Sequence, residues 1–138
     1  MPQTYLAVFS LEETGGYFVD FPDVDGCFTE GRDWEDALKM ATDVLALRLA
    51  HWEGALPKPS KHKKLASKLG PGAELVPIPL DAKLFFKYQP RTTINATLPT
   101  DLLAELDRYR AQTGEDRSLL LAEGARLLLR EREESAAT

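Results

Sequence analysis

Alternation between apolar and polar positions is cleanest at Arg91-Thr92-Thr93-Ile94-Asn95-Ala96-Thr97-Leu98. Successive strand side chains point to opposite faces, so Ile94, Ala96 and Leu98 share one face while Arg91, Thr93, Asn95 and Thr97 share the other. The polar face holds no acid, only donors and small hydrogen-bonding groups. A two-stranded ribbon fits the DNA major groove, where Asn, Thr and Arg side chains address base edges. A lone strand of this length is unstable in water, so the pattern calls for a partner strand, most simply from a second copy of the chain. A helix follows at once. Pro99 suits a helix start, Asp101 puts an acid in the first turn, and Leu102, Leu103, Leu106 and Tyr109 recur at helical spacing. Gly114 is a left-handed terminator, and Asp116 can cap a second helix. That helix carries Leu119, Leu120, Leu121, Ala125, Leu127, Leu128 and Leu129, apolar on more than one face. Such a small unit cannot bury them alone, which predicts an obligate homodimer; whether dimers pair into tetramers stays open.

Earlier positions read as strand, turn, strand, short strand, long helix. Tyr5-Leu6-Ala7-Val8-Phe9-Ser10 and Tyr17-Phe18-Val19-Asp20-Phe21 are rich in strand formers, with Thr14-Gly15-Gly16 as the hairpin turn between them. Pro22-Asp23-Val24-Asp25-Gly26 is a second turn, followed by the short strand Cys27-Phe28-Thr29-Glu30. Asp33 can cap a helix beginning near Trp34, with Asp36 in the capping-box position but shorter than the usual Glu or Gln. Leu38, Ala41, Leu45 and Leu49 give that helix a buried stripe, which ends near Gly54 and Pro57. Residues 57–72 predict a loop, and Glu74-Leu75-Val76-Pro77-Ile78-Pro79-Leu80 a fourth strand held at a sheet edge by its prolines. Phe85, Phe86 and Tyr88 read as an apolar linker over 81–90. The chain is therefore α+β, with domains at 1–80 and 91–138.

Composition narrows the possibilities. No segment approaches the ~20 apolar residues of a membrane span. The N-terminus lacks a signal peptide's basic-then-apolar layout. Cys27 is the only cysteine, which excludes an intrachain disulfide and a zinc site built on paired cysteines, and makes a reducing cytoplasm the natural compartment. Residues 1–60 hold 4 Lys/Arg against 11 Asp/Glu. An acidic first domain is a poor nucleic-acid binder and suits a basic protein partner instead.

Two resemblances follow from these residues. Residues 91–133 resemble a ribbon–helix–helix DNA-binding domain, in which paired strands from two chains enter the major groove. That resemblance implies that Thr93, Asn95 and Thr97 read bases with Arg91 at the ribbon's edge, and that Ile94, Ala96 and Leu98 form the dimer core. It also implies a DNA phosphate held by backbone amides near Arg117 and Ser118, where free amides and the helix dipole favour an anion. Asp116, as a cap, occupies one of those amides and adds a negative charge. In the first domain, the run from Gly15-Gly16-Tyr17-Phe18-Val19-Asp20-Phe21-Pro22 through Asp23-Val24-Asp25-Gly26-Cys27-Phe28-Thr29-Glu30-Gly31, with Asp36-Ala37 in the next helix, resembles the N-terminal domain of HicB-type antitoxins. The match spans 4–80; Asp25 stands where that family often has proline. The resemblance implies a partial RNase H-like fold of three strands, a helix and an edge strand, without nuclease function. It implies a HicA-type, mRNA-degrading toxin as partner and operator DNA of the chain's own operon as a second.

A nuclease needs several carboxylates converging on metal ions about 3.5–4 Å apart. The candidates are Asp20, Asp23, Asp25 and Glu30, but Asp23 and Asp25 lie in a turn where Asp is favoured for local bonding. Asp20 falls on the strand face opposite Tyr17, Val19 and Phe21, which predicts that it faces solvent. His51 and His62 have no evident partner, and Cys27 beside Phe28 reads as core. The expectation is no catalytic residue, no metal and no cofactor. The reading is an antitoxin and autorepressor; the alternative is a ribbon–helix–helix regulator whose first domain senses a ligand or another protein.

Overall fold

Tyr5, Ala7 and Phe9 alternate with Leu6, Val8 and Ser10, and the first set is buried while the second is half-buried. This alternation builds β1 (Thr4–Leu11), the strand around which the sheet assembles. The computed structural model describes residues 3–137. They form two compact units that divide between Arg91 and Thr92.

In the first unit, β1 pairs on one side with β2 (Tyr17–Asp20) and on the other with β4 (Ala73–Pro79), while β3 (Phe28–Gly31) pairs with β2. The order is β3-β2-β1-β4, and every pairing is antiparallel. Gly15, in the β1–β2 turn, has φ 91, a conformation glycine adopts without the Cβ penalty. The β4 edge position follows from its prolines. Leu80 N–H donates to the Gln3 carbonyl at 2.7 Å, so even-numbered residues of this stretch point their amides at β1. Pro77 and Pro79 then place their missing donors on the free edge, where no ladder needs them.

Helix α1 (Trp34–Ala50) covers the inner face of the sheet. Asp33 caps it by accepting the Asp36 amide at 2.8 Å. Asp36 reaches back to the Arg32 amide at 2.9 Å rather than to Asp33 itself, a shifted version of the reciprocal box. Ala37, Ala41, Leu45, Ala46 and Leu49 are buried against Tyr5, Ala7, Phe9, Val19, Phe21, Val24 and Cys27. Leu38 is only half-buried; Ala37 takes the buried position instead. The reason is closeness: a Cβ on Gly31 would lie 2.4 Å from the Ala37 Cα. Trp34 closes one end of the core, its ring 5.0 Å from Phe9 and 5.2 Å from Tyr17.

Two segments differ from the sequence reading. Residues 57–72 are not wholly loop, because α2 (His62–Ala66) forms within them around buried Leu65. The 81–90 stretch contains α3 (Ala82–Tyr88), capped by Asp81, whose carboxylate accepts the Leu84 amide at 2.9 Å. Leu84, Phe85 and Tyr88 pack onto the core, and the Tyr88 hydroxyl donates to the Asp43 carboxylate on α1. These aromatics complete the first unit, which therefore ends near Arg91 instead of Leu80.

The second unit holds α4 (Thr100–Thr113) and α5 (Arg117–Ala137). Pro99 is the N-cap of α4, with no side-chain cap bond, and Gly114 ends it with φ 74 and its amide on the Arg110 carbonyl at 2.8 Å. The strand read over 91–98 is corrected: these residues have no regular secondary structure in the single chain. A strand exists only when its backbone groups meet a partner, and no described segment of this chain supplies one.

Candidate functional site

Thr93, Asn95 and Thr97 are all exposed. On the other parity Ile94 is 77% exposed, Ala96 is exposed and Leu98 is half-buried. Arg91 belongs to the first unit. Its guanidinium sits 5.1 Å from the Phe86 ring centre and donates to the Lys87 carbonyl at 3.3 Å, anchored on α3 of the first unit.

Arg117 and Ser118 open α5, and both are exposed. Arg117 is engaged within the unit. Its Nη2 donates to both oxygens of Asp107, at 2.9 and 3.0 Å. Arg110 joins the same carboxylate at 3.2 Å and donates to the Glu115 carbonyl, also at 3.2 Å. The Arg117 hydrogen bonds, seconded by Arg110, hold the Asp107 carboxyl below the usual carboxylate range. This cluster fixes the corner between α4 and α5. Sequence reasoning missed Asp107: its spacing to Arg110 is visible along one helix, but Arg117 joins only once the chain turns. Asp116 directly precedes α5, and its carbonyl accepts the Leu120 amide at 3.1 Å.

The second unit leaves many of its large apolar side chains exposed. Leu119 is buried, whereas Leu102, Tyr109, Leu121, Leu128 and Leu129 are exposed, and Leu127 is 61% exposed. Fully burying a Leu side chain stabilises by about 1.5–3 kcal/mol, so much burial energy is unrealised in the single chain.

The first unit's acids are differently employed. Asp23 accepts the Ser60 amide and hydroxyl, both at 2.6 Å, tying the chain after α1 to the β2–β3 turn. The Tyr5 hydroxyl donates to the Pro57 carbonyl at 2.6 Å and pins the same segment. The Asp25 carbonyl accepts Arg48 Nε at 3.0 Å, and Arg48 lies over the Trp52 ring at 4.7 Å. Asp20 lies on the sheet face opposite Val19, as its parity predicts, but is half-buried there, and burial pushes its carboxyl up. Cys27 is buried, with its thiol pushed up to about 12 by desolvation and directed at the Val44 carbonyl, 3.8 Å away. His51 Nδ1 lies 3.1 Å from the Leu47 carbonyl of its own helix. No group of three or more His, Cys, Asp or Glu among the described residues could hold a metal ion. No helix among them is long and apolar enough to cross a membrane.

The model of the HicB-like antitoxins of bacterial toxin–antitoxin systems matches residues 5–125, across both units. The chain belongs to the HicB-like antitoxin family. Antitoxin HicB 1 of Photorhabdus laumondii is 54% identical over 33 residues, 24% of this chain and 21% of that relative. The chain thus spans about a fifth of that HicB's length at this level of match. Among solved structures, the Burkholderia pseudomallei antitoxin HicB is similar with a TM-score of 0.54 and 23% identity, over 89% of this chain and 96% of that one. A chain from a Streptococcus pneumoniae toxin–antitoxin complex is similar with a TM-score of 0.53 and 23% identity, over 91% and 97%. At that identity the likeness speaks to the fold: a HicB-type α+β architecture with a four-stranded antiparallel sheet.

Proposed function

We propose that this HicB-like antitoxin does two jobs with its two units. The first binds and occludes a HicA-type toxin that degrades mRNA. The second pairs with a second copy, forms a ribbon from residues 91–98 of each chain, and binds operator DNA to repress its own operon. One contrast carries this reading. The first unit buries its core within itself, whereas the second leaves Ile94 and its leucines exposed beside a polar row fit for base edges. Pairing two copies would bury Ile94, Ala96 and Leu98 and turn Thr93, Asn95 and Thr97 outward together. Arg117 contributes in this reading by holding the α5 N-terminus in place through Asp107, so that the amides near Ser118 face a phosphate. Arg91, anchored on Phe86, stands where the chain enters the ribbon.

In this reading neutralisation is by occlusion. The toxin encoded beside this gene, purified and mixed with the full chain, should lose RNA cleavage in proportion to the chain added. The chain alone should leave RNA intact with Mg²⁺ or Mn²⁺. Undiminished toxin activity at excess chain, or metal-dependent cleavage removed by Asp20→Ala, contradicts the proposal.

A further inference from the structure

The outer face of the first unit's sheet is covered at one end and open at the other. Over β1 and β4, the segment containing α2 leaves a cavity of about 510 Å³ bounded by Val8, Ser10, Ala73, Leu65 and Lys64. Over β2 and β3, Phe28 and Glu30 are exposed on that face, with Phe18 and Asp20 half-buried. Register places Phe18 opposite Glu30 and Asp20 opposite Phe28, all four on the outer side. The Phe18 and Phe28 rings lie 6.1 Å apart, and Phe28 is 57% exposed. A single exposed aromatic needs no explanation. Two in ring contact, each facing an acid across the ladder, form a composite surface. The four strands contain Asp20, Glu30 and Glu74 and no Lys or Arg, so the sheet itself offers these acids no counter-charge.

Resting on the toxin-binding role above, we propose that this β2–β3 face is the docking surface for the toxin, a small basic protein. An apolar side chain of the toxin packs against Phe18 and Phe28, and its Lys or Arg groups meet Asp20 and Glu30. The partner's chemistry follows from its substrate. A protein that cleaves RNA must present cations to phosphates and commonly offers surfaces on which bases stack. Carboxylates beside exposed rings answer both features, so the face competes with RNA for the same toxin surface. Aromatic residues at the centre of an interface, flanked by polar groups, also carry most of the binding energy in protein complexes.

The test titrates full-length chain into a cleavage-inactive form of the toxin encoded beside its gene, by calorimetry at two salt concentrations. Phe28→Arg should weaken binding by roughly 30-fold or more, the scale of a lost central anchor. Glu30→Lys should weaken it mainly at low salt, and Phe28→Tyr should retain it. Lys39→Glu, on an exposed position of α1, serves as the control and should change little. Thermal melting and operator binding of each variant report that the fold survives. Wild-type binding that persists in a folded Phe28→Arg, Glu30→Lys double variant overturns the face while leaving the toxin-binding role standing. Absence of wild-type binding overturns that role and the face with it. If Phe28→Arg instead lowers the mass of the toxin-free assembly, the face seats a second copy and the proposal is wrong.

Discussion

Gly31 shows how much a single position can hide. Its place in the sequence marks the end of a strand, but only packing explains why no side chain fits there. A Cβ would meet the Ala37 Cα and amide nitrogen at 2.4 Å, so β3 and α1 must part to admit one. Gly31→Ala should destabilise the chain by about 1–3 kcal/mol in denaturant melting, the usual cost of overpacking. Unchanged stability would show that the strand and helix are less tightly joined. Cys27 is a second residue whose chemistry is set by its surroundings. Burial raises its thiol to about 12 from an ordinary 9.0, so the unfolded chain loses this proton first as pH rises. Its contribution to stability is thus complete below pH 9 and is lost between there and about 12. The stability difference between wild type and Cys27→Ala should accordingly shift against wild type from pH 8 to pH 11. Iodoacetamide at pH 8 should label the native chain far more slowly than the denatured one; equal rates would contradict the burial. That Cys27 belongs to the core was legible from its strand neighbours. The Asp107–Arg117 contact was not, because those residues lie on different helices and meet only at the corner after Gly114.

At the scale of elements, local chemistry was readable wherever it acts within a few residues. The Asp33 cap, the glycine turn at Gly15 and the proline-marked edge of β4 are all of this kind. Asp33→Ala should cost about 1 kcal/mol by removing the acceptor for the Asp36 amide. Apolar clusters without clear period were harder. Phe85, Phe86 and Tyr88 suit a linker or a helix equally, and what decides is the Asp81 cap together with packing of Leu84, Phe85 and Tyr88 on α1 and the core. A fragment ending at Leu80 should therefore be less stable than one ending at Arg91 by about 2–4 kcal/mol, the loss of three partly buried side chains. Equal stability would detach α3 from the first unit's core. Helix α2 escaped notice because one buried leucine in a lysine-rich segment leaves no periodic signal. The 91–98 strand is the reverse case: its alternation is plain in the sequence, but its ladder needs backbone partners that one chain does not contain.

For the molecule as a whole, hydrophobic exposure separates the two units. The first buries its core within itself, and the apolar exposure of the second suits another copy of itself. Family membership agrees with the antitoxin reading, and the unburied leucines of α5 are what a lone chain of an obligate dimer would display. The central claim is that residues 91–98 pair between copies with Ile94 inward and Asn95 toward DNA. A gel-shift titration on the gene's own promoter, with sizing and thermal melting of Asn95→Ala and Ile94→Asn, tests it most directly. Asn95→Ala should keep the dimer and the melting profile while losing about 1–3 kcal/mol of operator affinity and relaxing preference at one base. Ile94→Asn should dissociate or unfold the second unit and abolish operator binding, because it puts an unpaired amide in the shared core. If instead Asn95→Ala dissociates the dimer and Ile94→Asn only alters base preference, the two faces are exchanged and the account of the ribbon is wrong.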